Sequence, residues 1–330
     1  MNRLSIFASY DKDNIIDDYV VFYLKELSKI SDIIYVSDCD IFEEEFTKIK
    51  DYCIHIINGR HGEYDFGSYK RGFLYAKENN LLKDYDYLIF CNDSVYGPFF
   101  DLGSIINCLE NKNTDVYSMF HCFKDKVNNE HLQSYFISMN KNIFLSSWYI
   151  EFMTSIQKEK NKDDIIFKYE EGMTSLFKKQ GCSICSFLDS SIVKDQINSN
   201  IPYYYPLESI NSGFPFLKIL LFKNALYFYF TFDDILNICN VIKNNYDLNI
   251  IINHLNRVVN KEDIKYLFRR FKEFDFFILS KYFINIKSHY INNGKYRLII
   301  RLFNFFNLTI DIPKYLSFCN CHKDFNFILE

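Results

Sequence analysis

The sequence predicts an α/β protein: a Rossmann-type mixed sheet flanked by helices, followed by a mainly helical C-terminal region. Three observations carry this. Through the first 92 residues, short runs of β-branched and aromatic residues alternate with segments of helical spacing. Each run ends in a polar cluster, as the carboxyl ends of strands do in open α/β sheets. Near residue 210 the charge balance inverts: residues 1–210 carry a net −10 and residues 211–330 a net +6, within a total of −4. A chain of 330 residues exceeds what one core ordinarily fills, so a boundary near 210 separates a nucleotide-binding domain, 1–210, from a basic, aromatic-rich region, 211–330.

The elements follow in order. Leu4–Tyr10 is the first strand, closed by Asp11-Lys12-Asp13-Asn14, and Tyr19–Ile30 then sets Val20, Leu24 and Leu27 on one helical face. Ile33–Ser37 is a second strand, ending in Asp38-Cys39-Asp40, and a short acidic helix over 42–50 leads to a third strand, Tyr52–Ile57. That strand runs into Asn58-Gly59-Arg60-His61-Gly62. A helix over Tyr69–Leu82 precedes the fourth strand, Tyr87–Cys91, which runs into Asn92-Asp93-Ser94. Further strands are read at 114–122 and 133–139, with helices at 142–157 and 165–180.

Several function classes drop out. No glycine fingerprint of a dinucleotide site follows the first strand, and no phosphate-binding P-loop motif occurs anywhere. The acidic first 210 residues exclude nucleic acid as a partner of the whole chain. The ten cysteines are scattered, several within apolar strand runs, and read as free thiols. Cys182-x-x-Cys185 lacks a second pair, and Cys319-x-Cys321-His322 lacks a fourth ligand, so neither is read as a metal centre. The apolar start is too short for a signal peptide, and the most apolar window, 214–232, is broken by Lys218, Lys223 and Asn224. The reading is a cytoplasmic protein.

Three segments carry chemistry. Asp93, just past the fourth strand, has the placement of a carboxylate that holds a divalent cation against a nucleotide diphosphate, or equally of a cap on the turn before Tyr96-Gly97-Pro98. Asp65, in Glu63-Tyr64-Asp65-Phe66-Gly67, stands at a helix start, where it either orients a nucleotide or caps the helix. Glu170 and Glu171 open another helix as dipole-complementing charge or, in a transfer site, as a general base. His121 and His131 are isolated and read as structural.

These pieces, in this order, resemble the rhamnan synthesis protein F family of bacterial surface-polysaccharide glycosyltransferases. The matching segments are Phe7–Asp11, Tyr64–Lys70, Leu88–Ser94 with Tyr96-Gly97-Pro98, His131–Phe136, Tyr169–Gly172, Ile201–Tyr204 and Gly213–Lys218, so the likeness covers roughly residues 1–225. It implies a GT-A-like fold, a nucleotide-sugar donor and a glycan acceptor. On that footing Asp93 is the metal-binding carboxylate, with Mg²⁺ or Mn²⁺ as cofactor, although Asn92-Asp93-Ser94 has one carboxylate where the family pattern has two. Glu170 or Glu171 is the base, and the match is closer at Tyr169-Glu170. The strand-end residues Ser9, Asp38, Asn58 and Asn92, with Asp65, hold the donor. A non-catalytic binding subunit, or a transferase of another nucleotide-activated group, fits the same residues.

The segment 257–301 holds 11 Lys and Arg against 4 Asp and Glu, interleaved with aromatics. This composition suits a basic amphipathic surface on an anionic membrane, where a lipid-linked acceptor would lie, and equally a helical bundle with its charges in water.

Overall fold

The computed structural model describes residues 1–126, 128–192, 198–223 and 232–259, and the backbone of 284–291, 295–302 and 306–313. The first ninety residues form β1 (Arg3–Ser9), α1 (Asp18–Ser28), β2 (Asp32–Ser37), α2 (Glu43–Phe46), β3 (His55–Asn58), α3 (Tyr64–Glu78) and β4 (Tyr87–Asn92). Next come β5 (Val95–Tyr96), α4 (Leu102–Glu110), β6 (Val116–Cys122), β7 (His131–Leu132), β8 (Phe136–Asn140), α5 (Lys141–Phe144) and α6 (Ser147–Ser155). Then α7 (Lys162–Ile165) runs into a π-helical turn (Ile166–Glu171), α8 (Gly172–Lys179) and β9 (Ile184–Asp189).

The strands make a mixed eight-stranded sheet in the order β3-β2-β1-β4-β8-β6-β7, with β9 also on β6. The first four are mutually parallel; β8 joins β4 antiparallel, and β9 runs parallel to β6. Period-two alternation along β1 explains the two cores. Leu4, Ile6 and Ala8 enter the cluster under α3 and α6, while Phe7 enters the opposite one under α1. β4 lies mid-sheet and is buried along its whole length, as its unbroken apolar run requires.

Helix α3 begins at Tyr64 rather than at Tyr69, so Asp65 lies within its first turn. Glycines at 67 and 72 blur its apolar stripe. Gly72 is needed for packing: a Cβ there would sit 2.4 Å from the Ile6 side chain of β1. Gly97 is needed for its backbone, at φ 123°, where a Cβ would meet the Pro215 carbonyl at 2.3 Å.

Residues on both sides of position 210 share one core. After α9 (Ile201–Tyr204) and α10 (Pro206–Asn211), the two-residue β10 (Leu217–Lys218) pairs antiparallel with β5. Phe214, Phe216, Leu217, Ile219, Leu221 and Phe222 lie in the α1-side cluster. Then follow α11 (Leu220–Lys223), α12 (Phe232–Ile242) and α13 (Leu248–Val258), which bring Ile238, Ile242, Tyr246 and Leu255 into the same core.

Helix is the expectation for the rest, yet the described backbone there is a three-stranded antiparallel sheet, β11 (Ile284–Ile291), β12 (Lys295–Leu302) and β13 (Phe306–Pro313). The sequence carries the matching signals: β-branched residues throughout, and the hairpin dipeptide Asn293-Gly294 between the first two strands. Of the basic positions read as a membrane surface, Arg269, Arg270 and Lys281 lie outside the described residues. Lys287 falls on β11, and Arg297 and Arg301 on β12. Cys319, Cys321 and His322 also lie outside them.

Candidate active site

Parallel register brings the strand ends together. Ser9 of β1 pairs with Ser37 of β2, Ser37 with Asn58 of β3, and Ala8 with Asn92 of β4. Above this edge lies a cleft of about 670 Å³ lined by Asp38, Asp65, Asn92, Asp93 and Glu170 among others.

Asp93 lies at its floor. The Ser9 hydroxyl donates to Oδ2 at 2.7 Å and the Tyr10 N–H donates to the same oxygen at 2.8 Å. Tyr19 of α1 donates its hydroxyl to the Asp93 carbonyl at 3.0 Å. Burial pushes the carboxyl up to about 7, with Asp65 and Asp11 pushing the same way and the Ser9 and Tyr10 donors pulling back. The turn cap is Asn92 instead: its Oδ1 accepts from the Ser94 N–H at 3.1 Å and the Ser94 hydroxyl at 2.6 Å. The Asn92 amide in turn donates to Asp65 Oδ2 at 2.8 Å. Asp65 therefore faces the cleft rather than capping α3. Burial raises its pKa, with Lys162 and Lys218 opposing and Glu170 adding to the rise. The residue before it, Tyr64, is 44% exposed at the cleft wall and held at φ 57°, a conformation that non-glycine residues adopt mainly under constraint.

The remaining strand-end residues divide. Asp38 lines the cleft and gathers the loop after β3, accepting the N–H groups of His61 at 2.6 Å and Gly62 at 2.8 Å on Oδ1. Ser9 lies outside the lining and donates its hydroxyl to Asp93. Asn58 lies outside the lining: its Oδ1 takes the Ser37 hydroxyl and the Ile41 N–H, and its amide donates to the Ile41 carbonyl.

The acidic pair splits too. Glu170 faces the cleft, with Oε1 accepting the Ser134 N–H at 2.6 Å and the Ser134 hydroxyl at 2.7 Å. Glu171 points elsewhere and accepts from the Asn129 amide at 2.8 Å. Both end the π-helical turn, whose wider winding decides which of the two faces inward; such turns recur at functional sites. His121 and His131 pair with Glu130 and the Asn129 carbonyl, away from the cleft.

Four basic side chains escaped the sequence reading. Lys162 and Lys218 line the cleft, as does His254 of α13, whose Nδ1 lies 2.6 Å from the Tyr96 hydroxyl. Arg257, one turn further, binds Asp11 at 2.5 Å, Asp13 at 2.8 Å and Asp17 at 2.5 Å. It thereby ties α13 to the loop that leads from β1. The resemblance does include Lys218, at the end of the Gly213–Lys218 segment, but assigns it no role.

Among the described residues no cluster of three or more His, Cys, Asp or Glu side chains is arranged to hold a metal ion. A hard cation held by one or two carboxylates and completed by phosphate oxygens needs fewer. The donor set fits that arrangement: Asp93 and Asp65 each keep one oxygen without a donor among the described residues, and the Asp65 charge adds to the rise in the Asp93 pKa. Among the described residues no helix is long and apolar enough to cross a membrane.

The model of a family described as rhamnan synthesis protein F matches residues 33–330. An uncharacterized protein of Sinorhizobium fredii, y4gN, is 28% identical over 161 residues, which is 48% of this chain and 42% of that one, so this chain spans less than half of that relative. Likeness to solved structures is remote. The mannosyltransferase Ktr4p of S. cerevisiae gives 9% identity and a TM-score of 0.31 over 46% of this chain and 59% of that one. A glycosyltransferase involved in glycosylation of the major capsid of PBCV-1 gives 10% and 0.35 over 66% and 94%. A cytidylyltransferase from Leptospira borgpetersenii gives 12% and 0.38 over 74% and 95%.

Proposed function

The chain belongs to the rhamnan synthesis protein F family, and we propose that it is a glycosyltransferase moving a sugar from a nucleotide-diphosphate donor onto a growing bacterial surface glycan, of capsule, O-antigen or rhamnan type. The observation that carries this reading is the pairing, across one cleft, of the strand-end carboxylate Asp93 and the helix-start carboxylate Asp65 with Glu170. The first two lie at the carboxyl edge of the parallel strands, where α/β sheets bind nucleotides. Glu170 stands apart, clamped through one oxygen by Ser134, so that Oε2 is left to take a proton.

Transfer with inversion then needs two things of the protein. Glu170 accepts the proton of the acceptor hydroxyl as that oxygen bonds to the anomeric carbon. The donor is held so that its diphosphate leaves on the opposite side, through an oxocarbenium-like state. Asp93 and Asp65 would hold Mg²⁺ or Mn²⁺, which when bound offsets charge on the diphosphate. Asp38 fixes the backbone of 61–62 at the donor wall, and Tyr64 and Tyr10 offer aromatic faces for a base. A lipid-linked acceptor at the inner face of the plasma membrane accords with the basic composition of 257–301.

A thermal-shift screen of nucleoside diphosphates, with and without Mn²⁺, tests this, since a ligand of the native state raises its stability. At least one diphosphate should raise Tm by several degrees, more with the metal present. A flat response to all of them would remove the nucleotide-sugar reading.

A further inference from the structure

Lys218 lines the same cleft as Asp93, Asp65 and Glu170. Its backbone pairs with Val95 through β10 and β5, and the next N–H, of Ile219, donates to the Ser94 carbonyl at 3.1 Å. It is thus fastened to the chain immediately after Asp93. The side chain is 7% exposed, yet its ammonium reaches the cleft, 3.5 Å from the centre of the Tyr135 ring and 5.6 Å from that of Tyr203.

A buried ammonium is costly without an anion beside it. Among the described residues Lys218 forms no ion pair. The cleft carboxylates have donors of their own: Ser9 and Tyr10 for Asp93, Asn92 for Asp65, Ser134 for Glu170. The tyrosine faces compensate only in part. Burial accordingly lowers the pKa to about 7, helped by Lys162, while Glu170 and Asp65 pull it back up. The fold keeps a cation in its core, aimed into the cleft, and leaves its counter-ion to the ligand.

We propose that Lys218 binds the diphosphate of the donor and balances the charge it gains on leaving. This rests on the glycosyltransferase reading above. As the anomeric C–O bond breaks, its electron pair passes to the diphosphate oxygen. The acceptor oxygen forms the new bond to that carbon, and its proton goes to Glu170. Lys218 donates hydrogen bonds to the oxygens gaining charge and keeps its own protons. Its place beside Ser94 and Asp93 favours the diphosphate over an acidic group on the acceptor.

The test is calorimetric titration of the full chain in EDTA with UDP, GDP and dTDP, each beside its nucleoside. Wild type should bind one diphosphate, and Lys218→Met should weaken that binding about 10- to 100-fold while leaving the nucleoside unchanged; this is the scale of a lost charge-assisted contact. Lys218→Arg should retain most of the affinity. The Met variant should melt no lower than wild type, because an apolar side chain replaces an uncompensated charge, and Lys218→Gln serves if it does not fold. A variant lacking the cation that binds diphosphate as tightly as wild type would overturn the proposal and leave Lys218 a structural cation on two tyrosines. Wild type that binds none of the three diphosphates, either in EDTA or when the titration is repeated in Mn²⁺, would instead remove the glycosyltransferase reading itself.

Discussion

The two walls of the cleft come from different kinds of sequence. The wall proposed for the donor is local: Asp38, Asp65, Asn92 and Asp93 follow strands or open a helix within the first 93 residues, and parallel register brings the strand ends together. The other wall is assembled from afar. Glu170 arrives on a π-helical turn, Lys218 on a two-residue strand, and His254 on a helix whose Arg257 reaches back 246 positions to Asp11. A strand end announces itself by the polar residue after an apolar run. A long-range contribution has no such mark, because any lysine or arginine in a helix reads first as a solvated charge.

The largest effect that separates the walls is catalytic. Glu170→Gln should lower kcat by about 10²- to 10⁴-fold with little change in donor affinity, as loss of a general base does. Glu171→Gln should stay within about threefold of wild type, since Asn129 holds that side chain outside the cleft. Steady-state kinetics of both variants decide it. Equal losses would mean that the π-helical turn does not select between them.

Stability is the next difference. Arg257→Ala leaves Asp11, Asp13 and Asp17 facing one another and should cost about 1–3 kcal/mol, discounted from a fully buried cluster because part of it meets water. Denaturant midpoints would show it, and an unchanged midpoint would make α13 an ornament of the site rather than a wall. For the same reason, a truncation testing membrane contact must begin after residue 259, not at 257. Removing residues 260–330 should abolish salt-sensitive binding to anionic liposomes while the cleft continues to bind nucleotide. Retained liposome binding would move that contact elsewhere.

An effect of similar size belongs to the donor wall and has a definite sign. An unfolded aspartate titrates near 3.8, whereas burial holds Asp93 at about 7. Between those values the folded protein keeps a proton that the unfolded chain has released, so metal-free stability must fall as pH rises through that window. In EDTA, wild type should lose about 1–3 kcal/mol between pH 5 and pH 8 through this group. Asp93→Asn should show a flatter profile and be the more stable protein at pH 8. Matching slopes would place the Asp93 carboxyl in a wetter setting than the cleft floor.

What the sequence made legible follows the same division. The four parallel strands were readable because each is an apolar run closed by polar residues, and Asp93 and Asp65 were readable from their positions after β4 and at the start of α3. Whether Asp93 capped its own turn was not readable, since Asn92, one residue earlier, has the same capping chemistry and takes the role. Asn58 looked like a donor ligand by position, but its amide closes the loop over Ile41. The choice between Glu170 and Glu171 depends on helical winding, which adjacent glutamates cannot reveal. Lys218 carried no role in the sequence, because its meaning lies in what surrounds it: two tyrosine rings and, among the described residues, no ion-pair partner. Beyond 259, aromatic and basic composition suggested helices, while the β-branched content accords with the antiparallel strands that the described backbone shows.

The central claim is that this cleft breaks the bond between a sugar and a nucleoside diphosphate. The most direct measurement is product analysis, by phosphorus NMR, of wild type and folded Asp93→Asn incubated with a panel of nucleotide sugars in Mn²⁺ without acceptor. The account predicts slow release of a nucleoside diphosphate from at least one donor by wild type, reduced at least ~100-fold in the variant, the scale of losing a principal electrostatic stabiliser. Release of a nucleoside monophosphate, or of no nucleotide from any donor, would contradict it.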